Sequence, residues 1–422
     1  MSEQRQRLTG RILIGMAAGI TVGLGFNLAG TGSALSTFVV DGVFHVGGQI
    51  FLASLKLLVV PLVLVSIVCG VASLDDLSRL GRVGGKTLGL YLMTTAIAIS
   101  LALSAAMLVQ PGAGFDLEAP SFAAKEPPSV VDTLINLFPS NPIQAMADGE
   151  MLQIIVFASL FGIAMTLSGD PGKRVLAFFQ DLNEVILRLV MLLISLAPYG
   201  VFCLLGKVFA AEGLAAIRPL GWYFGLVLAV LFTHALFTYP LLVRTLARLN
   251  PVVFLRKMRA PLALAFSTAS SGATIPVTLE TVERRLGVNN SIGSFTVPLG
   301  ATINMDGTAI MQGVATGFIA QAYGIPLGPG DFLSVVLTAT LASIGTAAVP
   351  GVGLVMLAMV LRQVNLPVEG IGLIIGVDRL LDMVRTAVNV TGDAAVTCVV
   401  ANSEGQLDRD VFRDPQAGAD PA

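Results

Sequence analysis

Charge is what this sequence has least of. Of its 422 residues only 12% are Asp, Glu, Lys or Arg, against about 25% in a soluble domain, while 55% are hydrophobic and mean hydropathy is +0.83. The deficit runs along the whole chain, which excludes a soluble enzyme carrying one anchor. Cysteine and histidine are scarce too. Cys69, Cys203 and Cys398 lie far apart in apolar segments, so neither a disulfide framework nor a cysteine metal site is expected. His45 and His234 stand isolated in distant segments, and Ser270 and Ser271 have no histidine in their own, so a Ser–His hydrolase is a poor fit. The net charge of −2, with no long basic stretch, offers nothing to nucleic acid. The first apolar run lacks a small-residue cleavage site, so no cleavable signal peptide is expected.

What the chain does have is apolar length. Ile50 to Leu74, with Lys56 its only charge, and Trp222 to Val243 exceed the roughly 18 residues that span a bilayer. A spanning backbone must satisfy its own hydrogen bonds, which leaves helices or a closed barrel. The runs far exceed the roughly 10-residue alternating strands of a barrel. The fold class is therefore an all-α polytopic membrane protein, with spans in the N-terminal half near 11–31, 46–74, 87–110, 150–168, 185–210 and 220–247. Positive residues mark internal loops: Arg5, Arg7 and Arg11; Arg79, Arg82 and Lys86; Lys173 and Arg174; Arg244, Arg248, Arg256, Lys257 and Arg259. The acidic, Pro-rich stretch from Gly112 to Glu150, with Lys125 alone, reads as external. Both termini then read as cytoplasmic, and the polar tail after Ser403 as disordered.

Two polar clusters interrupt the C-terminal half: Ala269-Ser270-Ser271-Gly272-Ala273-Thr274-Ile275-Pro276 and Ala342-Ser343-Ile344-Gly345-Thr346-Ala347-Ala348-Val349-Pro350-Gly351. Paired interruptions of this kind point to a transporter binding site, because Pro and Gly end helices and freed amides need a polar partner. Two kinked crossing helices are the plainer alternative. Between the clusters lies Thr302-Ile303-Asn304-Met305-Asp306-Gly307-Thr308. A carboxylate in mid-span costs on the order of 2.5–3.5 kcal/mol unless partnered. Asp306, Asn304 and nearby carbonyl oxygens suit a hard cation such as Na+, and Gly307 suggests an unwound segment.

The last span is richer still: Asp378-Arg379-Leu380-Leu381-Asp382-Met383-Val384-Arg385-Thr386-Ala387-Val388-Asn389-Val390-Thr391-Gly392-Asp393. At about 100° per residue its strongly polar side chains fall within one arc of about 120°. Such a stripe must face protein or water. A self-paired network through Asp382 and Arg385, i,i+3 neighbours, is the structural alternative to a binding site. With Asp378 and Arg379 taken as a pair, Asp306, Asp382 and Asp393 against Arg385 sum to −2. Arg385 suits a carboxylate, and Asp382 offers an anion to an ammonium.

These residues resemble the dicarboxylate/amino acid:cation symporter family, the glutamate transporter family of archaea, bacteria and animals. The likeness covers nearly the whole chain and includes Leu55-Lys56-Leu57-Leu58-Val59-Val60-Pro61 and Pro198-Tyr199-Gly200-Val201-Phe202. It implies eight transmembrane helices, two re-entrant helical hairpins, inverted repeats and an elevator-type homotrimer in the cell (inner) membrane. Residues 1–86 would hold scaffold helices 1 and 2, 87–110 helix 3 of the transport domain, and 111–213 the external loop with scaffold helices 4 and 5. Residues 214–402 would complete the transport domain, ahead of a tail at 403–422. By the same likeness Asp382 takes the substrate amino group and Arg385 its side-chain carboxylate. Thr386, Asn389, Thr308 and Ser271 are further substrate ligands, and Val349 to Gly353 closes over the pocket. Sodium positions match at Asn304, Asp306, Asn389 and Asp393; a further site uses Tyr91, Thr94 and Thr95 from helix 3, and another Thr302 with the carbonyls of Ser343, Ile344 and Thr346.

The sequence departs from the family at Ala269 and Met383, where many members carry a second arginine; Arg379, one turn away, is the substitute at hand. Gln312 stands where animal members that exchange a proton and potassium have glutamate. The expected function is uptake of aspartate or glutamate with Na+, H+ being the other possible coupling ion. A proton-coupled C4-dicarboxylate or glutamate symporter of the same fold is the alternative.

Overall fold

A computed structural model describes residues 2–29, 33–72, 77–113, 115, 138–345 and 351–418. Among them every extended element is helical, and β-structure is limited to two isolated bridges. In the N-terminal half, α1 is Ser2–Ala29, α2 His45–Ala72, α3 Leu77–Val109, α4 Met151–Leu167, α5 Asp170–Ile194 and α6 Ala197–Glu212. The single span expected at 185–210 is thus two helices, broken at Ser195–Leu196. The reason is Pro198, which fits the first turn of a helix but not its interior.

Small residues fix the packing of α1. Gly15, Gly19 and Gly23 recur every fourth position and lie directly against the carbonyls of Pro198, Phe202 and Gly206 on α6, where any β-carbon would collide. Asn27 closes the same seam by donating to the Ala210 carbonyl at 3.0 Å. Elsewhere the half turns apolar side chains outward: Phe178, Val185 and Leu192, spaced by sevens on α5, are all exposed.

The C-terminal half begins with α7 (Ile217–Thr233), runs through a π-turn at His234–Thr238, and continues as α8 (Tyr239–Thr245). Next come α9 (Pro251–Lys257), α10 (Arg259–Thr268) and α11 (Ser271–Glu280), then α12 (Asn290–Ile303) and α13 (Asp306–Ala322). They are followed by α14 (Pro329–Ala342), α15 (Val352–Gln363), α16 (Ile371–Ser403) and α17 (Arg409–Arg413). The 33-residue α16 is the hub, packed against α7, α8, α10, α12 and α13. By length and composition three described runs can cross a membrane, Ala34–Cys69, Arg82–Val109 and Ile217–Thr245.

The tail departs from expectation, because residues 404–418 are folded. Asp408 caps α17, and Lys257 donates to the carbonyls of Arg285 (2.7 Å), Val411 (2.9 Å) and Phe412 (2.8 Å). Backbone bonds join Asp408 to Gly287 and Asn289 to Gln406. Main-chain carbonyls that accept from Lys257 and Arg409, together with the buried ring of Phe412, hold this segment, and its polar composition gave no sign of them.

Candidate binding site

Two clusters of buried charge lie along α16. The first surrounds Asp306. The chain leaves the helix at Asn304 and Met305, and Asp306 opens α13. Asp306 is fully buried. Its Oδ1 accepts from Thr95 Oγ1 at 2.6 Å, and its Oδ2 from Tyr239 Oη at 2.8 Å and His234 Nε2 at 3.1 Å. Three donors to a carboxylate, at about 1.5–3 kcal/mol each, are of the size needed to offset burying the charge.

His234 is the residue that sequence reasoning passed over. It and Tyr239 are five apart, on opposite sides of an α-helix but on one side of the π-turn that joins α7 to α8. Their rings stand edge to face at 4.7 Å. The irregular turn, invisible in hydrophobic periodicity, brings both to Asp306. With Nε2 as donor, the other ring nitrogen, Nδ1, is buried without a partner.

One turn further along α16's polar face, Asp393 Oδ1 accepts from Asn304 Nδ2 at 2.9 Å, and the same amide donates to the Asn389 carbonyl at 3.0 Å. Gly300 leaves room for Asp393 and the Tyr91 hydroxyl to approach one another, since a β-carbon there would lie 2.5 Å from an oxygen of each. Tyr91 donates to the Thr296 carbonyl, and Thr94 to that of Tyr91. One oxygen in this cluster, Asn304 Oδ1, is buried with no donor. An orphaned acceptor beside two carboxylates is the environment a desolvated monovalent cation requires. The structure thus brings together Tyr91, Thr94, Thr95, Asn304, Asp306, Asn389 and Asp393. The third expected cation set is only partly described. Thr302 is exposed on α12, which packs against the 3₁₀ turn carrying Ser343 and Ile344, both buried. Thr346 lies outside the described residues.

Gly307 was expected to permit unwinding. Its backbone is instead ordinary helix, and it is needed for close approach. A β-carbon there would meet the carbonyl oxygen of Arg385 at 2.5 Å and its Cα at 2.8 Å. The Gly307 amide donates to Asn389 Oδ1 at 2.7 Å, which fixes α13 against α16.

The second cluster surrounds Arg385, 1% exposed. Its Nη2 donates to Asp382 Oδ1 at 2.8 Å, and its Nη1 lies 2.9 Å from Asp378 Oδ1. Arg379 reaches the other oxygen of Asp382 at 3.4 Å. The expected Asp378–Arg379 pair is therefore corrected: on an α-helix adjacent residues diverge by about 100°, whereas Asp378, Asp382 and Arg385 share a face. The contact between Nη1 and Asp378 is an ion pair out of hydrogen-bond alignment, so Nη1 and Nε of Arg385 are buried without hydrogen-bond partners. Tyr223, on α7, is buried with a partnerless hydroxyl and within electrostatic reach of both Asp378 and Arg385.

Of the remaining expected substrate residues, Gly353 and Thr386 lie against this pair. Gly353 abuts the guanidinium: a β-carbon on it would stand 3.3 Å from Nη2. Thr386 bonds back to the Asp382 carbonyl at 2.8 Å, and Thr308 is buried near Met305. Ser271 is buried at the start of α11, just after Ala269, which holds a left-handed φ of 47°. Both α10 and α11 pack on α16. Val349 lies outside the described residues.

Residues 8–403 match the sequence model of the Sodium:dicarboxylate symporter family. A "Proton/sodium-glutamate symport protein" of Bacillus caldotenax is 36% identical over 415 residues, covering 96% of each chain. A "Proton/glutamate-aspartate symporter" of Escherichia coli (strain K12) is 35% identical over 95% of this chain and 94% of its own. A "C4-dicarboxylate transport protein" of Rhodospirillum rubrum is 35% identical over 95% and 89%. With a family match over nearly its full length and relatives of this closeness, the chain belongs to the sodium:dicarboxylate symporter family.

Proposed function

We propose that this integral membrane protein is a secondary active symporter that imports an acidic amino acid, aspartate or glutamate, together with Na+. One observation carries the reading: a fully buried arginine with two nitrogens lacking hydrogen-bond partners stands beside the carboxylate of Asp382. Arg385 then receives the side-chain carboxylate of the substrate and Asp382 its ammonium. Thr386, Asn389, Thr308 and Ser271 complete the pocket, with Val349 and Gly353 over it. Asp306 and Asp393, whose donors are hydroxyls, an amide and an imidazole, take the cations with Asn304, Asn389, Tyr91, Thr94 and Thr95. Thr302, Ser343, Ile344 and Thr346 form a third cation set. The family consists of transporters rather than enzymes.

Helix length supports the re-entrant reading. At 1.5 Å per residue α14 and α15 are about 21 and 18 Å long, and α10 and α11 about 15 Å each, short of the roughly 30 Å hydrocarbon layer. We read Arg259–Glu280 and Pro329–Gln363 as two hairpins that enter without crossing. With α3, the α7–α8 run, α12, α13 and α16 they would make a moving domain, on a trimeric scaffold of α1, α2 and α4 to α6 in the cell membrane. The exposed stripe on α5 would then face lipid, and both termini the cytoplasm.

A proton-coupled carrier is the second reading, favoured by one contact, His234 on Asp306. Uptake of radiolabelled aspartate into proteoliposomes, under an imposed Na+ or H+ gradient, separates them. The Na+ gradient alone is expected to drive accumulation; equal accumulation on a proton gradient without Na+ would remove the sodium assignment.

A further inference from the structure

The four ionised groups around Arg385 cancel: Asp378 and Asp382 against Arg379 and Arg385 sum to zero. Tyr223, beside them, adds only a neutral hydroxyl. This zero is a property of Asp378. Without it the site would carry one net positive charge and would favour the most highly charged anion available.

We propose that Asp378 is a specificity-determining residue, which orients Arg385 and sets the charge of the pocket so that a singly anionic amino acid is preferred to a doubly anionic C4-dicarboxylate. The inference rests on the acidic amino acid reading given above. Asp378 lies seven residues, two helical turns, before Arg385, on the same face of α16. Both side chains are buried, at 4% and 1% exposure.

Arg385 has little freedom to leave this neighbour. Its backbone lies against Gly307, where a β-carbon would stand 2.5 Å from the Arg385 carbonyl oxygen, and its buried guanidinium is held at 2.8 Å by Asp382 and 2.9 Å by Asp378. Asp378 therefore still faces Nη1 when a substrate carboxylate docks on the guanidinium. An acidic amino acid brings two carboxylates and one ammonium, and the ammonium meets Asp382. A dicarboxylate brings its second negative charge with no ammonium and meets Asp378 and Asp382 together. One unit charge at about 6 Å, in an effective dielectric near 20, corresponds to roughly a hundredfold in affinity, and reorganisation lessens it.

The test measures inhibition of radiolabelled aspartate uptake by succinate, in proteoliposomes of the full chain, at a pH where both succinate carboxyls are ionised. Aspartate uptake by the unaltered protein is measured first. If it takes up succinate and not aspartate, the acidic amino acid reading fails before any variant is made. In Asp378→Asn the ratio of the succinate inhibition constant to the aspartate half-saturation constant should fall by about tenfold or more. Asp378→Glu should bring the ratio back toward the unaltered value, which a loss of fold or general activity would not do. Arg379→Gln, which removes a positive charge from the same group, should raise the ratio. An unchanged ratio in Asp378→Asn overturns the proposal. Where that variant does not insert or fold, an unchanged ratio in Arg379→Gln overturns it instead.

Discussion

The two buried clusters on α16 hold similar numbers of carboxylates but answer them in opposite ways. Around Arg385, each acidic side chain has a guanidinium in contact. Around Asp306 and Asp393 the partners are hydroxyls, an amide and an imidazole, with no lysine or arginine among the described ion pairs. One cluster is internally neutralised and has spare donors. The other retains negative charge and a spare acceptor, Asn304 Oδ1. A site that supplies its own cations can accept an anion; a site that supplies none must obtain them from solution. The separation matches a division between substrate and coupling ion, and shows why both should load together: an anion at the first cluster raises the cost of the uncompensated charge at the second, and a cation lowers it.

The largest expected effect comes from breaking either side of this division. Arg385→Cys removes one partner of a buried charge pair, a change worth about 2–5 kcal/mol, or about 30-fold to several thousandfold in affinity. Aspartate uptake should fall by about that factor, neutral amino acids should become better competitors, and cation dependence of the residual uptake should persist. Asp393→Asn should do the reverse: the Na+ concentration for half-maximal uptake rises while the ranking of acidic against neutral competitors stays. If Arg385→Cys shifted the Na+ requirement while Asp393→Asn changed the substrate ranking, the division of labour would be wrong. Unchanged aspartate uptake in Arg385→Cys would remove Arg385 from the substrate.

The placement of both clusters along one helix was legible in the sequence. The polar arc on the last span follows from helical geometry alone, and the segments 302–308 and 378–393, singled out in the sequence, hold every Asp and Arg side chain of the two clusters. What escaped prediction escaped for identifiable reasons. His234 looked isolated because its link to Tyr239 depends on a π-turn, and no 3.6-residue periodicity contains one. Asp378 was paired with its sequence neighbour, although adjacent side chains on a helix point apart. The tail is held by long-range contacts, Lys257 and Arg409 on distant main-chain carbonyls, which local composition does not reveal. Gly307 was credited with flexibility, when the reason for glycine there is the Arg385 backbone next to it.

That last correction yields an effect of middle size. Gly307→Ala forces a β-carbon against Arg385 main-chain atoms, so α13 and α16 must part or shift. Overpacking of this kind costs about 1–3 kcal/mol. The melting temperature of the purified protein in detergent should drop by several degrees, with substrate and Na+ affinities falling together, because Gly307 sits where the two clusters meet. A fall in only one of the two would place Gly307 within a single cluster.

The smallest effect tests a contact outside both clusters. Glu404, at the end of α16, accepts from Lys86 at 2.6 Å and from Arg82 at 2.7 Å, which couples the start of α3 to the hub helix. The Lys86 bond, followed by that of Arg82, holds the Glu404 carboxyl below its ordinary value of 4.5. A carboxyl with a lowered folded pKa adds stability above its unfolded pKa and loses it as pH falls through the folded value. Arg82 is largely exposed, so solvent screens much of the interaction. The melting temperature of the unaltered protein should exceed that of Glu404→Gln slightly at pH 7. The margin should narrow as pH falls through and below 4.5 and shrink further with added salt. A margin that persisted in acid would mean that Glu404 acts through packing, and the ion pairs with Lys86 and Arg82 would then contribute nothing to the coupling of α3 to α16.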